Sequence, residues 1–118
     1  MFTFMEMRQA IAVALAVREQ YRELELLKYG RAWSINDLMV GMVGDVGDLA
    51  QLVGAQQGIR PGPEDLHSAI GHELSDILWS VFVLADELGV DVEAAFASTM
   101  EDLRLRVAEK VARAELER

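Results

Sequence analysis

The stretch Leu38-Met-Val-Gly-Met-Val-Gly-Asp-Val-Gly-Asp-Leu-Ala-Gln-Leu52 decides the fold. At about 100° per residue with Leu38 at zero, Leu49 falls near 20°, Met42 near 40° and Leu52 near 320°, which is one apolar face of a helix. Asp45 falls at about 340°, inside that face, and Asp48 at about 280°, on its border. An ionised carboxylate on a core face is costly unless it is neutralised, paired or bound to a metal. An arginine from another helix is one way to satisfy Asp45; a cation is the other. Gly41, Gly44 and Gly47 recur every three residues, and each costs about 1 kcal/mol relative to alanine in a helix interior. Close approach of a neighbouring helix accounts for them, or else room for a ligand beside the two aspartates.

The next helix repeats the pattern. With Ile70 at zero, Leu74, Ile77, Leu78, Val81, Leu84, Ala85 and Leu88 lie within about 80° of one centre. Glu73 falls at about 300°, on the edge of that face, and Asp76 at about 240°. Residues at i and i+3 share a helix face, so two consecutive helices each present an acid pair at the core seam. Four converging carboxylates repel one another unless a hard divalent cation joins them, with Mg²⁺ the default and Mn²⁺ the second choice. Trp79 and Phe82 fall on the far side of the same helix, which is therefore apolar on two sides. A second subunit covering that side, in a homodimer or homotetramer, is the expectation; the alternative is that the first helix wraps it.

Three breaks divide the chain: Tyr29-Gly30-Arg31-Ala32-Trp33, Gln57-Gly58-Ile59-Arg60-Pro61-Gly62-Pro63 and Gly89-Val90-Asp91. The first segment, from about Phe4 to Lys28, carries Phe4, Met7, Ile11, Ala14, Val17, Tyr21 and Leu24 at helical spacing. Ser34-x-x-Asp37 is a variant of the capping box and starts the second. The third opens near Pro63, and the fourth opens at Asp91 and runs to the end. Sustained alternation of the kind that marks strands does not occur. Four helices with short connections predict an all-α, antiparallel four-helix bundle in a single domain over residues 1–118.

Composition narrows the function. The chain has 118 residues, 52% hydrophobic and 26% charged, the make-up of a folded soluble domain. It has no Cys, which excludes disulfides and thiolate metal sites and fits a cytoplasmic address. The longest uncharged apolar stretch, Ile77 to Ala85, falls short of the roughly 20 residues a bilayer span needs, and the start has no basic region followed by a small-residue cleavage site. Eleven Lys+Arg face 20 Asp+Glu, for a net charge of −9. Residues 101–118 hold five of each sign, so the whole excess lies in residues 1–100. Such a chain repels nucleic acid and anionic membranes, and takes an anionic ligand only through an intervening cation. Glu64-x-x-His67 is a lone copy of a di-iron ligand pair that must occur twice, so His67 and His72 read as surface residues.

Met42 to Leu52, with Glu73-Leu-Ser-Asp-Ile-Leu-Trp79 and Leu84-Ala-Asp-Glu-Leu-Gly-Val-Asp91, resembles the MazG-like nucleotide pyrophosphohydrolases. Trp33-Ser-Ile-Asn-Asp-Leu38 fits the run-in. The likeness covers roughly residues 25 to 106 and is similar to the short single-domain branch that includes dCTP pyrophosphatases. It implies a Mg²⁺-dependent enzyme, working as a dimer or tetramer, that cleaves a nucleoside triphosphate between the α and β phosphates. Carried over, Asp45 and Asp48 take the first metal-binding pair and Glu73 and Asp76 the second, with Asp45 or Glu73 the base that orients water. Trp33 becomes a candidate to stack on the base, or else a core anchor, and Arg104 and Arg106 candidates for phosphate contact, or else a solvated helix face. Two departures stand out. Asp45 and Asp48 replace glutamates, each one methylene shorter, and Thr99 and Leu103 stand where the family has a lysine and an asparagine. A non-catalytic helical module that binds nucleotide or only oligomerises is the alternative.

Overall fold

A computed structural model describes residues 5–118, so Phe4, the first position of the expected stripe, lies outside the described residues. Four helices follow: α1 (Met7–Tyr29), α2 (Ile35–Gln56), α3 (Leu66–Glu87) and α4 (Val92–Leu116). Among the described residues there is no strand. The protein is all-α and consistent with a four-helix bundle.

The helix ends follow from local chemistry. Gly30 takes a left-handed φ of 76° and donates its N–H to the Leu26 carbonyl at 3.0 Å, closing α1. Ser34 and Asp37 form the expected box: the Asp37 N–H donates to Ser34 Oγ at 3.1 Å and the Ser34 N–H to Asp37 Oδ2 at 2.9 Å. Arg31 Nη1 donates to the same oxygen at 2.9 Å. Asp91 caps α4 by accepting the Ala94 N–H at 3.0 Å. The third helix departs from expectation. It begins at Leu66 after an Asp65 cap, three residues beyond Pro63. The Pro61–Pro63 segment instead crosses α2 closely: a Cβ on Gly62 would stand 2.6 Å from the Ala55 Cβ.

Helix α3 is central and packs on both α1 and α2. Leu38 of α2 meets Val83 and Leu84 of α3 in the core, with Leu15, Met42 and Trp79 around them. Seven residues on, Asp45 of α2 meets Asp76 of α3, seven residues back, so the two helices run antiparallel. Along α1, Trp79 Nε1 donates to the Ala14 carbonyl at 3.0 Å and Arg22 Nη2 to Glu87 Oε1 at 3.2 Å, so α1 and α3 run parallel. The expectation that a second subunit covers the Trp79 side is corrected here. Helix α1 covers it, with Tyr21 edge-on to Trp79 at 5.7 Å between ring centres, and Phe82 is buried.

The glycines are corrected too. Gly41 lies under the Trp33 ring, which a Cβ there would approach to 3.3 Å, while among the described residues nothing stands within 4 Å of a Cβ on Gly44 or Gly47. Unpartnered apolar surface lies elsewhere. Leu74 and Leu78, counted on the core stripe of α3, are each about half exposed. Helix α4 buries no residue, although Phe96, Met100, Leu103, Val107 and Val111 recur along it at three and four. The radius of gyration is 18.6 Å, with a longest extent of 63 Å, against about 13–14 Å for a compact chain of this length. By length and composition alone α2 could also cross a membrane, with mean hydropathy 1.3, which a search for uncharged runs passes over. It carries Asp45 and Asp48 near its middle, where an aspartate costs about 2.5–3.5 kcal/mol in hydrocarbon.

Arg31, and then the Ser34 N–H, hold the Asp37 carboxyl at about 2, down from 3.8. A lowered folded-state value means that its stabilisation is complete above the ordinary value and fades as pH falls through about 2. Asp37→Asn is therefore expected to lower stability at pH 7, with the gap from the parent protein closing towards pH 2. Urea titrations of both proteins across that range check it.

Candidate metal centre

The α2–α3 register brings three acids together. Asp45 comes from α2 and Glu73 and Asp76 from adjacent turns of α3. Each offers a carboxylate oxygen, and these oxygens all lie within 4.8 Å of one another. All three residues are half-buried. Glu73 Oε2 is sealed from solvent and accepts no hydrogen bond among the described residues. Asp76 Oδ2 lies 3.2 Å from His72 Nε2, one turn earlier on α3. Burial is the main cause that pushes the Asp45 carboxyl above its ordinary range, followed by the charges of Asp76 and Asp48. Burial likewise raises Glu73, helped by Asp45, Asp48 and Asp76, and His72 opposes both shifts. The arginine that could have satisfied Asp45 is not found on it among the described ion pairs.

An all-oxygen donor set with an unpartnered buried carboxylate oxygen fits a hard divalent cation. Asp45, Glu73 and Asp76 are the residues that could hold it. Asp48 is the expected fourth ligand, and the structure leaves it exposed and outside the three-acid group. Its place on the border of the α2 face turns its side chain to solvent, so it acts on Asp45 and Glu73 only through its charge.

A cavity of about 490 Å³ opens from Asp45 and Asp76 and runs between α1, α2 and α3. Three aromatic residues line it as well: Tyr21, Trp33 and Trp79. Trp33 is neither a buried anchor nor a free surface residue. Its ring covers Gly41 while 45% of the residue stays exposed. Its backbone is gripped by a pair that the sequence reading missed. Arg18 Nη1 lies 3.2 Å from Glu25 Oε1, with both residues buried. Glu25 Oε1 accepts the Trp33 N–H at 2.7 Å, and Arg18 Nη2 donates to the Trp33 carbonyl at 2.8 Å. The available signal was position: Arg18 and Glu25 follow Ala14 at four and eleven residues, on one face of α1.

Arg104 and Arg106 do not line this cavity. Arg104 instead forks onto Glu101 of its own helix, at 2.7 and 3.1 Å. His67 and His72 are exposed as expected, although His72 adjoins the acids.

Comparison with known proteins adds a relationship. No family model matches the chain. It is 35% identical to dCTP pyrophosphatase 1 of Rattus norvegicus over 74 residues, 59% of this chain and 44% of the rat protein, and the Mus musculus protein gives the same figures. For the Homo sapiens protein the identity is 35% over 81 residues, 65% of this chain and 48% of the relative. The chain thus spans about half the length of the curated relatives it matches.

Asp45 and Glu73 hold their protons more tightly than free carboxyls do, so their ionisation opposes folding and the penalty grows as pH rises through the ordinary carboxylate range. Mg²⁺ or Mn²⁺ is expected to raise the melting temperature at pH 7, and Glu73→Gln to raise it in EDTA while reducing the gain on adding metal. Differential scanning fluorimetry on both proteins, with and without metal, measures both effects.

Proposed function

We propose that the chain is a nucleoside triphosphate pyrophosphohydrolase of the MazG-like kind, with dCTP a leading substrate candidate. The convergence of Asp45, Glu73 and Asp76, the first and last of which line an aromatic-walled cavity, carries this reading. The similarity to dCTP pyrophosphatases supports it. A divalent cation held by the three carboxylates, Mg²⁺ first and Mn²⁺ second, would neutralise triphosphate charge and polarise the reacting phosphate. The protein's part is to place the groups. Asp45 or Glu73, whose carboxyls hold protons more tightly than usual, orients a water and takes its proton. The water oxygen bonds to the α phosphorus, the bond from that phosphorus to the bridging oxygen breaks, and pyrophosphate leaves a nucleoside monophosphate. Asp48 adds long-range negative charge that favours the cation. Trp33 offers a face to the base.

A second copy of the chain is the partner this reading requires. The half-exposed Leu74 and Leu78 of α3 and the apolar stripe of α4 need cover. Arg104 and Arg106, on a helix without a buried residue of its own, would be phosphate contacts brought by that copy. Light scattering is expected to give two or four times the 13.1 kDa of the chain, and a monomer at micromolar concentration would refute the assembly.

A binding module without turnover is the second reading, favoured by the position of Asp48 outside the acid group. Product analysis separates the two. With Mg²⁺ and a panel of ribo- and deoxyribonucleoside triphosphates, monophosphate and pyrophosphate are expected in equal amounts. Asp45→Asn and Asp76→Asn should each lower the rate by about 10²–10⁴-fold. Absence of turnover with either metal would leave the binding module.

A further inference from the structure

We propose that Arg18 and Glu25 are positioning residues, a buried clamp that fixes Trp33 as the wall against which the nucleobase lies. The proposal rests on the nucleotide-hydrolysing reading of the site and says how its base end is built.

The connection between α1 and α2 is only five residues, Gly30 to Ser34. Arg31 is tied to Asp37 at its start, and Ser34 is tied to Asp37 at its end. Trp33 lies between these ties, and both polar groups of its backbone are taken by one ion pair. Glu25 Oε1 accepts from the N–H at 2.7 Å, and Arg18 Nη2 donates to the carbonyl at 2.8 Å. Arg18 is 3% exposed and Glu25 7%, so water does not compete for these bonds. Two buried charges are a costly way to hold a surface connection if nothing else depends on it. What they hold is one tryptophan that is left 45% exposed. Gly41 completes the seat: its missing side chain lets the ring lie on the α2 backbone, one turn from Asp45. A planar apolar face, fixed in orientation beside the acid cluster across a cavity of about 490 Å³, suits a flat heterocycle whose phosphates reach the acids. Fixing the ring before binding removes the ordering cost that a mobile side chain would impose on each association. Glu25 also lines the cavity, but its oxygens are engaged by Arg18 and the Trp33 N–H, so it supports the wall and does not read the base.

Glu25→Ala removes the acceptor for the Trp33 N–H and leaves Arg18 without its ion-pair partner, and Glu25→Gln keeps an acceptor for that N–H without the charge. Steady-state kinetics with dCTP and Mg²⁺ should show KM raised about tenfold in Glu25→Ala, and less in Glu25→Gln, with kcat held within about threefold because the acids are untouched. Time-resolved fluorescence anisotropy, in a Trp79→Phe background that leaves Trp33 the single emitter, should show faster local depolarisation in Glu25→Ala without any ligand. Should Glu25→Ala fail to fold, Gly41→Ala serves in its place. It leaves the clamp intact, pushes on the ring across 3.3 Å and should raise KM several-fold with helix content unchanged. An unchanged KM in both Glu25→Ala and Gly41→Ala would overturn the wall. Unchanged anisotropy in folded Glu25→Ala would overturn the clamp. If the parent protein hydrolyses no triphosphate, the function reading fails separately, and the clamp is decided by the ligand-free anisotropy.

Discussion

Leu38 seated against Val83 and Leu84 sets the register on which the rest of the site depends. Leu38 is 2% exposed and Val83 fully buried. Seven residues along α2 and seven back along α3 make two turns on each helix, so the apolar contact and the acid cluster are one alignment read at two heights. A slip of one turn would move Asp45 about 5.4 Å along the seam and part it from Glu73 and Asp76. The apolar end supplies the free energy, because truncating a well-buried leucine costs about 2–5 kcal/mol. The acidic end spends part of it, since like charges in a half-buried seam oppose the pairing that brings them together.

Charge and aromatic surface share the cavity. Asp45 and Asp76, with His72 beside the latter, line it together with Tyr21, Trp33 and Trp79. A ligand that matches both has a flat apolar part and a part that tolerates a cation between itself and carboxylates. The overall charge of −9 makes that cation a requirement for any polyanion, because the basic residues of this region are committed elsewhere. Arg18 pairs with Glu25, Arg22 with Glu87 and Arg31 with Asp37.

The legible parts of the sequence were those in which local pattern and tertiary packing agree. The face of α2 through Leu38, Met42, Asp45, Leu49 and Leu52 turns inward as its spacing says, and the Ser34–Asp37 and Asp91 caps form where their chemistry places them. Glu73 and Asp76 meet Asp45 because a short connection forces α2 and α3 to be antiparallel neighbours. Where a helix is apolar on two sides the wheel could not choose. On α3 it ranked Leu74 and Leu78 as core and the Trp79 side as outer, while α1 packs on the Trp79 side and leaves those leucines half exposed. On α1 the apolar stripe pointed to Tyr21 and Leu24, and the structure turns Arg18 and Glu25 inward instead. Hydropathy ranks charged residues as surface, and only the Trp33 backbone, eight residues beyond Glu25, gives them something to bind.

The Arg18–Glu25 pair has a consequence for how this chain can vary. Removing either partner alone strands a buried charge and frees one backbone group of Trp33, a loss of about 3–5 kcal/mol by the usual cost of breaking such a pair. Replacing both by apolar residues of similar volume spares the charge penalty but still leaves the Trp33 N–H and carbonyl without partners. Positions 18 and 25 are therefore tied into one unit of inheritance, whereas position 33, held by this pair through its main chain alone, loses a bond to it only on change to proline.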